Sequence, residues 1–289
     1  MRIKKGKVVD IKKNRFKNSF RFFRPIAFLA TAFFLLNVSI LTAQGRDPKG
    51  SNIKIFSRVL NEERTLSISL PEDYESFQKY YSVLYVLDAE GDRTIPQSIS
   101  TVEELYKKGI APQMIVVGIW NTNRNRDMIP EAVSHRPGSG GSDKFLVFIS
   151  EELVPFIKKS YRTEDFSILY GMSNSALFSV YALLETPETF NSYIASSPMI
   201  GHCPEYMKSK MENFVNQTAV SNRVLYMIYG SDDSPRVTDY VPDFHDYLKS
   251  NGSRNFVNEL VILEGEGHVP QSSLTRALKF IFETKKLPI

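Results

Sequence analysis

Six short apolar runs, separated by amphipathic stretches, limit what this chain can fold into more than any other feature. They are "YSVLYVLDAEGD" from Tyr81, "MIVVGIW" from Met114, "FSILYG" from Phe166, "SYIASSP" from Ser192, "RVLYMIYG" from Arg223 and "NELVILEG" from Asn258. Such nearly continuous runs suit strands buried on both faces of a parallel sheet. Helical periods lie among them: "TVEELYKKG", "DKFLVFISEELVPFIKKSY", "SALFSVYALLET", "DFHDYLKSN" and "SLTRALKFIFETKK". In the second, Phe145, Phe148, Ile149, Leu153, Phe156 and Ile157 form one apolar stripe, and Pro155 predicts a kink or break near Glu151. Ahead of these, "NIKIFSRVL" and "TLSISLPEDY" flank "NEER" and read as a hairpin. The expected class is α/β: a mostly parallel sheet of about eight strands with helices on both faces.

Composition matters chiefly at the N-terminus. The net charge of +4 hides a split: residues 1–24 hold ten Lys or Arg against one Asp, which leaves the remainder at −5. That acidic body is unsuited to nucleic acid. The basic start precedes the apolar "IAFLATAFFLLNVSILTA", with small residues at Ala43 and Gly45. Residues 1–45 therefore read as an export signal, making the protein periplasmic or secreted, with an uncleaved membrane anchor as the alternative. Residues 46–289 read as one domain, without internal repeat or linker; "SHRPGSGGSD", residues 134–143, is its loosest loop. Cys203 is the only cysteine, so no internal disulfide and no thiol-based metal site is expected.

The chemistry points to "FSILYGMSNSALFSVYALL". A buried strand, a turn and a helix surround Gly171, Ser173 and Ser175, which read G-x-S-x-S. The nucleophile turn of α/β-hydrolases is G-x-S-x-G on the same strand-turn-helix frame, where crowding of the two backbones demands small residues around the serine. Ser175 weakens the match without voiding it. A second G-x-S, in "GGSDK" at Gly140, lies in a loop and carries Asp143 and Lys144 where a small residue is needed.

A serine nucleophile needs a base, and the base an orienting carboxylate, in the chain order Ser, Asp or Glu, His. "YGSDDSP" supplies Asp233, favoured over Asp232, beyond one strand, and "EGEGHVP" supplies His268 beyond the last. Of the other histidines, His135 falls in the loose loop, His202 follows "SSPMIG" and His245 lies on an expected helix. Two N–H groups must stabilise the oxyanion: that of Asn174, after the nucleophile, and one from "LDAEGD", where Ala89 is the first choice and Glu90 the second.

Taken together, "SRVLNEERTLSISLPEDY", "VLYVLDAEGD", "MIVVGIWNTNRNRDM", "YGMSNSALFSVYALLETPETFNSYIASSP" and "LEGEGHVP" resemble the esterase D-like branch of the α/β-hydrolases, which includes siderophore and feruloyl esterases. The resemblance runs from about Asn52 to Phe282 and implies an α/β-hydrolase fold. It matches Ser173 to the family nucleophile, Asp233 to the acid and His268 to the base. The chain departs from the family at Ala89 and Ser175, both commonly glycine, and at Met172, frequently histidine. It implies a serine carboxylesterase acting through an acyl-enzyme on a small-molecule ester, siderophore or hydroxycinnamoyl or acetyl, with no cofactor and no metal. An acyltransferase on the same residues and an inactive binding module are the alternatives. "NRNRDM" also matches a family stretch: Arg124 or Arg126 would contact substrate, or Arg126 would pair structurally with Asp127. "MIGHCPEYMKSKMENFVNQ" would form a variable cap, with Met199, Met207 and Met211 in core or pocket.

Overall fold

The expected hairpin forms from β1 (Ser51–Ser57) and β2 (Glu62–Ser69), antiparallel in register Ser51 to Ile68 through Ser57 to Glu62. Along β1, Asn52, Lys54 and Phe56 face solvent while Ile53 and Ile55 point inward, the period of two of a half-covered strand. The six apolar runs form β3 (Tyr81–Val86), β4 (Met114–Ile119), β5 (Thr163–Met172), β6 (Ser192–Ser196), β7 (Val224–Gly230) and β8 (Val257–Leu263). The sheet order is β1-β2-β4-β3-β5-β6-β7-β8, with every pair from β4 to β8 parallel. This computed structural model describes residues 51–91, 93–216, 222–253 and 255–285. These residues belong to one compact unit, Arg46–Ile289, and the export segment expected at 1–45 lies outside them. Among the described residues no helix is long and apolar enough to cross a membrane.

Helices cover both faces. On β3 and just past it, Val83, Tyr85 and Leu87 enter one apolar layer, while Leu84 and Val86 enter the other. The second layer is closed by α1 (Thr94–Lys107) and α9 (Ser273–Lys285), through Ile95, Val102, Leu105, Leu274, Leu278 and Ile281. The first, larger layer holds α5 (Asn174–Glu185), in which every residue from Asn174 to Leu184 is buried. A helix apolar nearly all round is one enclosed by neighbours. Around it lie α3 (Ser142–Val147), α4 (Val154–Ser160), α6 (Pro204–Val215) and α8 (Val241–Asn251); α2 (Arg124–Met128) and α7 (Pro235–Thr238) are single turns.

Three details depart from the sequence reading. α1 starts at Thr94, seven residues before the expected "TVEELYKKG" period, because Pro96 sits in the first turn, where its missing N–H costs no bond. The break expected near Glu151 is a π-helical segment, Phe148–Leu153, joining α3 to α4. Pro155 cannot donate to the carbonyl of Glu151, and widening the turn keeps Phe145, Phe148, Ile149, Leu153 and Ile157 fully buried. The expected cap is instead core: Met207, Met211 and Phe214 bury one face of α6 against α5 and α8.

Candidate active site

The turn after β5 puts Ser173 at φ 59° and ψ −119°. A non-glycine residue held there stores about 1–3 kcal/mol of strain, and its own N–H fixes it by donating to Ser196 O at 2.9 Å. Gly171 is obligatory, since a Cβ there would lie 2.1 Å from the carbonyl oxygen of Ser175. Ser175 is fully buried, and its hydroxyl accepts from Met172 N–H at 2.8 Å. In place of the family's glycine stands a side chain that satisfies a backbone donor of the turn itself.

Two further loops converge on this turn from the carboxyl ends of parallel strands, where open α/β sheets build their sites. Asp233 follows β7 and His268 follows β8. Ser173 Oγ lies 2.8 Å from His268 Nε2, and His268 Nδ1 lies 2.6 Å from Asp233 Oδ1. The imidazole is 40% exposed and the Asp233 side chain fully covered, so a substrate can reach the first pair but not the second. Asp233 Oδ1 also accepts from Ser234 N–H at 2.6 Å. Asp232 is exposed, and among the described residues its side chain accepts from Ser231 Oγ alone, at 3.3 Å. Of the adjacent pair, the fold brings Asp233 to the imidazole.

The loop bearing His268 is fastened on both sides. Val269 N–H donates to Ser197 Oγ at 2.8 Å, and Asp232 N–H to Glu266 O at 3.0 Å. At Gly230 a Cβ would meet Glu266 O at 1.9 Å, so the loop crosses the end of β7 at a distance only glycine permits.

Among the described residues the N–H of Asn174, first in α5, has no acceptor, as expected of a free helix N-terminus. Ala89 does not supply a second donor: its N–H is committed to Ile119 O at 3.2 Å. The amide of Glu90, one residue on, has no such partner among the described residues. Backbone donors leave no side-chain signal, and the choice between adjacent amides needs the hydrogen-bond pattern.

The two arginines of "NRNRDM" divide. Arg126 is held by Glu62, at 2.6 and 3.0 Å, and by Asp127 at 2.7 Å. Asp127 is itself buried against the fully buried Arg64 at 2.7 Å, which makes this a structural charge cluster. Arg124 forms a two-pronged pair with Asp88, Nε to Oδ1 at 3.0 Å and an Nη to Oδ2 at 2.7 Å.

A histidine pair was not assigned a role from sequence. His202, 3% exposed, lies 3.1 Å through Nε2 from Asn174 Oδ1 and 2.9 Å through Nδ1 from His135 Nε2, with the two rings stacked. Since Asn174 Oδ1 can only accept, His202 donates there and accepts from His135, the neutral tautomer. Burial, reinforced by Arg136, His135, Arg236 and Arg124, lowers its pKa to about 4. Sixty-seven residues separate the pair, beyond the reach of any local period. Cys203 is buried, and its thiol is pushed up to about 12, mainly by that burial. Among the described residues no group of three or more His, Cys, Asp or Glu is placed to hold a metal ion.

A family model described as "Putative esterase" matches residues 57–252, about two thirds of the chain. The ferri-bacillibactin esterase BesA of Bacillus subtilis is 27% identical over 259 residues, covering 80% of this chain and 89% of that protein. The siderophore triacetylfusarinine C esterase of Aspergillus fumigatus is 28% identical over 188 residues, 55% and 64% of the two chains. The structure of an IroE-like serine hydrolase from Shewanella oneidensis superposes with a TM-score of 0.72 at 25% identity, covering 83% and 82%. With an α/β-hydrolase fold and a family match over most of its length, the protein belongs to this esterase family and is a carboxylic ester hydrolase.

Proposed function

We propose that the protein is a serine esterase in which Ser173, His268 and Asp233 act as a catalytic triad on a siderophore ester. The observation that carries this reading is the unbroken chain Ser173 Oγ, His268 Nε2, His268 Nδ1, Asp233 Oδ1 at 2.8 and 2.6 Å. Asp233 accepts a hydrogen bond from Nδ1–H, which keeps the proton on Nδ1 and so leaves the Nε2 lone pair facing the serine hydroxyl. As Oγ attacks the acyl carbon, its proton passes to Nε2, and the carbonyl oxygen becomes an oxyanion held by the N–H groups of Asn174 and Glu90. Collapse expels the alcohol, which takes the proton from Nε2, and leaves Ser173 acylated. Water then repeats the sequence, giving its proton to Nε2, releasing the acid and restoring the serine. Support for a siderophore ester comes from the two relatives named for such substrates.

Ser173→Ala should lower turnover of an aryl ester by about six orders of magnitude, as expected where serine and base act as a unit. It should also abolish labelling by a fluorophosphonate. Undiminished hydrolysis by that variant would end the triad reading. A catechol trilactone offered beside a feruloyl ester, with products separated by chromatography, tests the substrate: the trilactone should be consumed at least tenfold faster.

A further inference from the structure

The two amides assigned to the oxyanion come from chain segments far apart in sequence. Asn174 opens α5, whereas Glu90 stands in the loop after β3. The separation of their N–H groups must be fixed to a few tenths of an ångström if both are to bind one oxygen. The β3–β5 pairing brings the segments side by side as far as Leu87 N–H to Tyr170 O at 3.0 Å, and past it, among the described residues, a side-chain hydrogen bond joins them. Ser175 Oγ, one residue past Asn174, lies 2.7 Å from Asp88 Oδ2, two residues before Glu90. The serine hydroxyl has one proton and two acceptors in reach, Asp88 Oδ2 and Met172 O at 2.8 Å. A carboxylate is the stronger acceptor, so the proton goes to Asp88.

Asp88 is built to hold its own segment still. Its backbone is left-handed at φ 54°, which turns the chain out of β3 toward Ala89 and Glu90. Arg124 grips both carboxylate oxygens, and Asn121 Nδ2 donates to Oδ1 at 2.6 Å. Asn121 continues to Glu90, donating to its carboxylate through N–H at 3.0 Å and Nδ2 at 2.5 Å. Ala89 between them is fixed by its bond to Ile119 O. The Glu90 amide therefore hangs from a loop pinned at three successive residues, and beyond the β3–β5 backbone pairing that ends at Leu87 N–H to Tyr170 O, the Ser175 hydroxyl is the strut among the described residues from that loop to the nucleophile turn.

We infer that Ser175 and Asp88 are positioning residues that set the spacing of the two oxyanion donors, so that the serine replacing the motif's second glycine is a working part of this enzyme. The inference rests on Ser173 being the nucleophile. It assigns Arg124 to Asp88 rather than to substrate.

The test uses the full chain and the variants Ser175→Ala, Ser175→Gly, Asp88→Asn and Ser175→Ala/Asp88→Asn. Each is measured for kcat and KM on an aryl ester, and for the inhibition constant of an aryl boronate, whose tetrahedral adduct carries an oxyanion. Loosening the donors acts on that anion and not on the bound ester. The single variants should therefore lose about tenfold in kcat and about tenfold in boronate affinity, with KM within twofold. The double variant should be no worse than the poorer single, since both remove one strut. Ser175→Gly adds no atoms and restores the usual motif residue, so it covers the case in which another variant does not fold. Folded variants with unchanged kcat and boronate affinity, or a double variant whose losses multiply, overturn the inference. Wild-type enzyme that fluorophosphonate does not label at Ser173 would instead sink the nucleophile reading, and this inference with it.

Discussion

Replacing His202 with glutamine should flatten the acid limb of the protein's stability. His202 is neutral in the folded state because both ring nitrogens are already assigned, one donating to Asn174 and one accepting from His135. Its pKa falls from 6.5 to about 4. Between those values the unfolded chain binds a proton that the folded chain refuses, so stability rises with pH across the window. The contribution is complete above pH 6.5 and is lost as the pH falls to about 4. At about 1.4 kcal/mol for each factor of ten in proton activity, it is worth about 3 kcal/mol. Urea unfolding followed by far-ultraviolet circular dichroism from pH 4 to 8 measures it. The difference between wild type and His202→Gln should grow by about 3 kcal/mol from pH 4 to 7, because titrations common to both chains cancel. Parallel curves would show that His202 carries no proton-linked penalty, and the tautomer assigned from the network would be wrong.

Gly230→Ala should drive the loop at Glu266 away from β7 and lower kcat at least a hundredfold, while fluorophosphonate labelling slows in parallel; unchanged kcat would show that the close approach at 1.9 Å does not set the position of His268. Asp127→Ala should destabilise the fold by about 3–5 kcal/mol in urea unfolding, because it takes from the fully buried Arg64 its fully buried carboxylate and leaves the partly exposed Glu62 as its counter-charge among the described residues. A loss under 1 kcal/mol would mean that water reaches the arginine.

Much of the architecture was legible because strands buried on both faces read as unbroken apolar runs, and all six runs became strands of the parallel part of the sheet. Ser173, Asp233 and His268 could be singled out for a related reason: residues just beyond strand ends in a parallel sheet share one edge whatever their distance in sequence. What was not legible depended on partners chosen by the fold. "TIPQSIS" lies outside the helical period that begins at Thr101, and its packing against the sheet makes it the first half of α1. The methionines of α6 fit a cap or a core equally well until α5 and α8 are placed beside them. Ala89 and Glu90 are indistinguishable as backbone donors until Ile119 is seen to take one of them. Ser175 looked like a blemish in a motif because its partner, Asp88, stands 87 residues away.

Among the described residues β8 is paired on one side only and none of its residues is fully buried, yet the loop after it carries His268, the base of the proposed triad. Ser173 follows β5, which is enclosed between two strands, while its proposed proton acceptor follows the edge strand of the sheet. Fraying of that edge would separate His268 from Ser173 while the central strands stay paired. Under the proposed triad, activity is the first property lost when this edge opens.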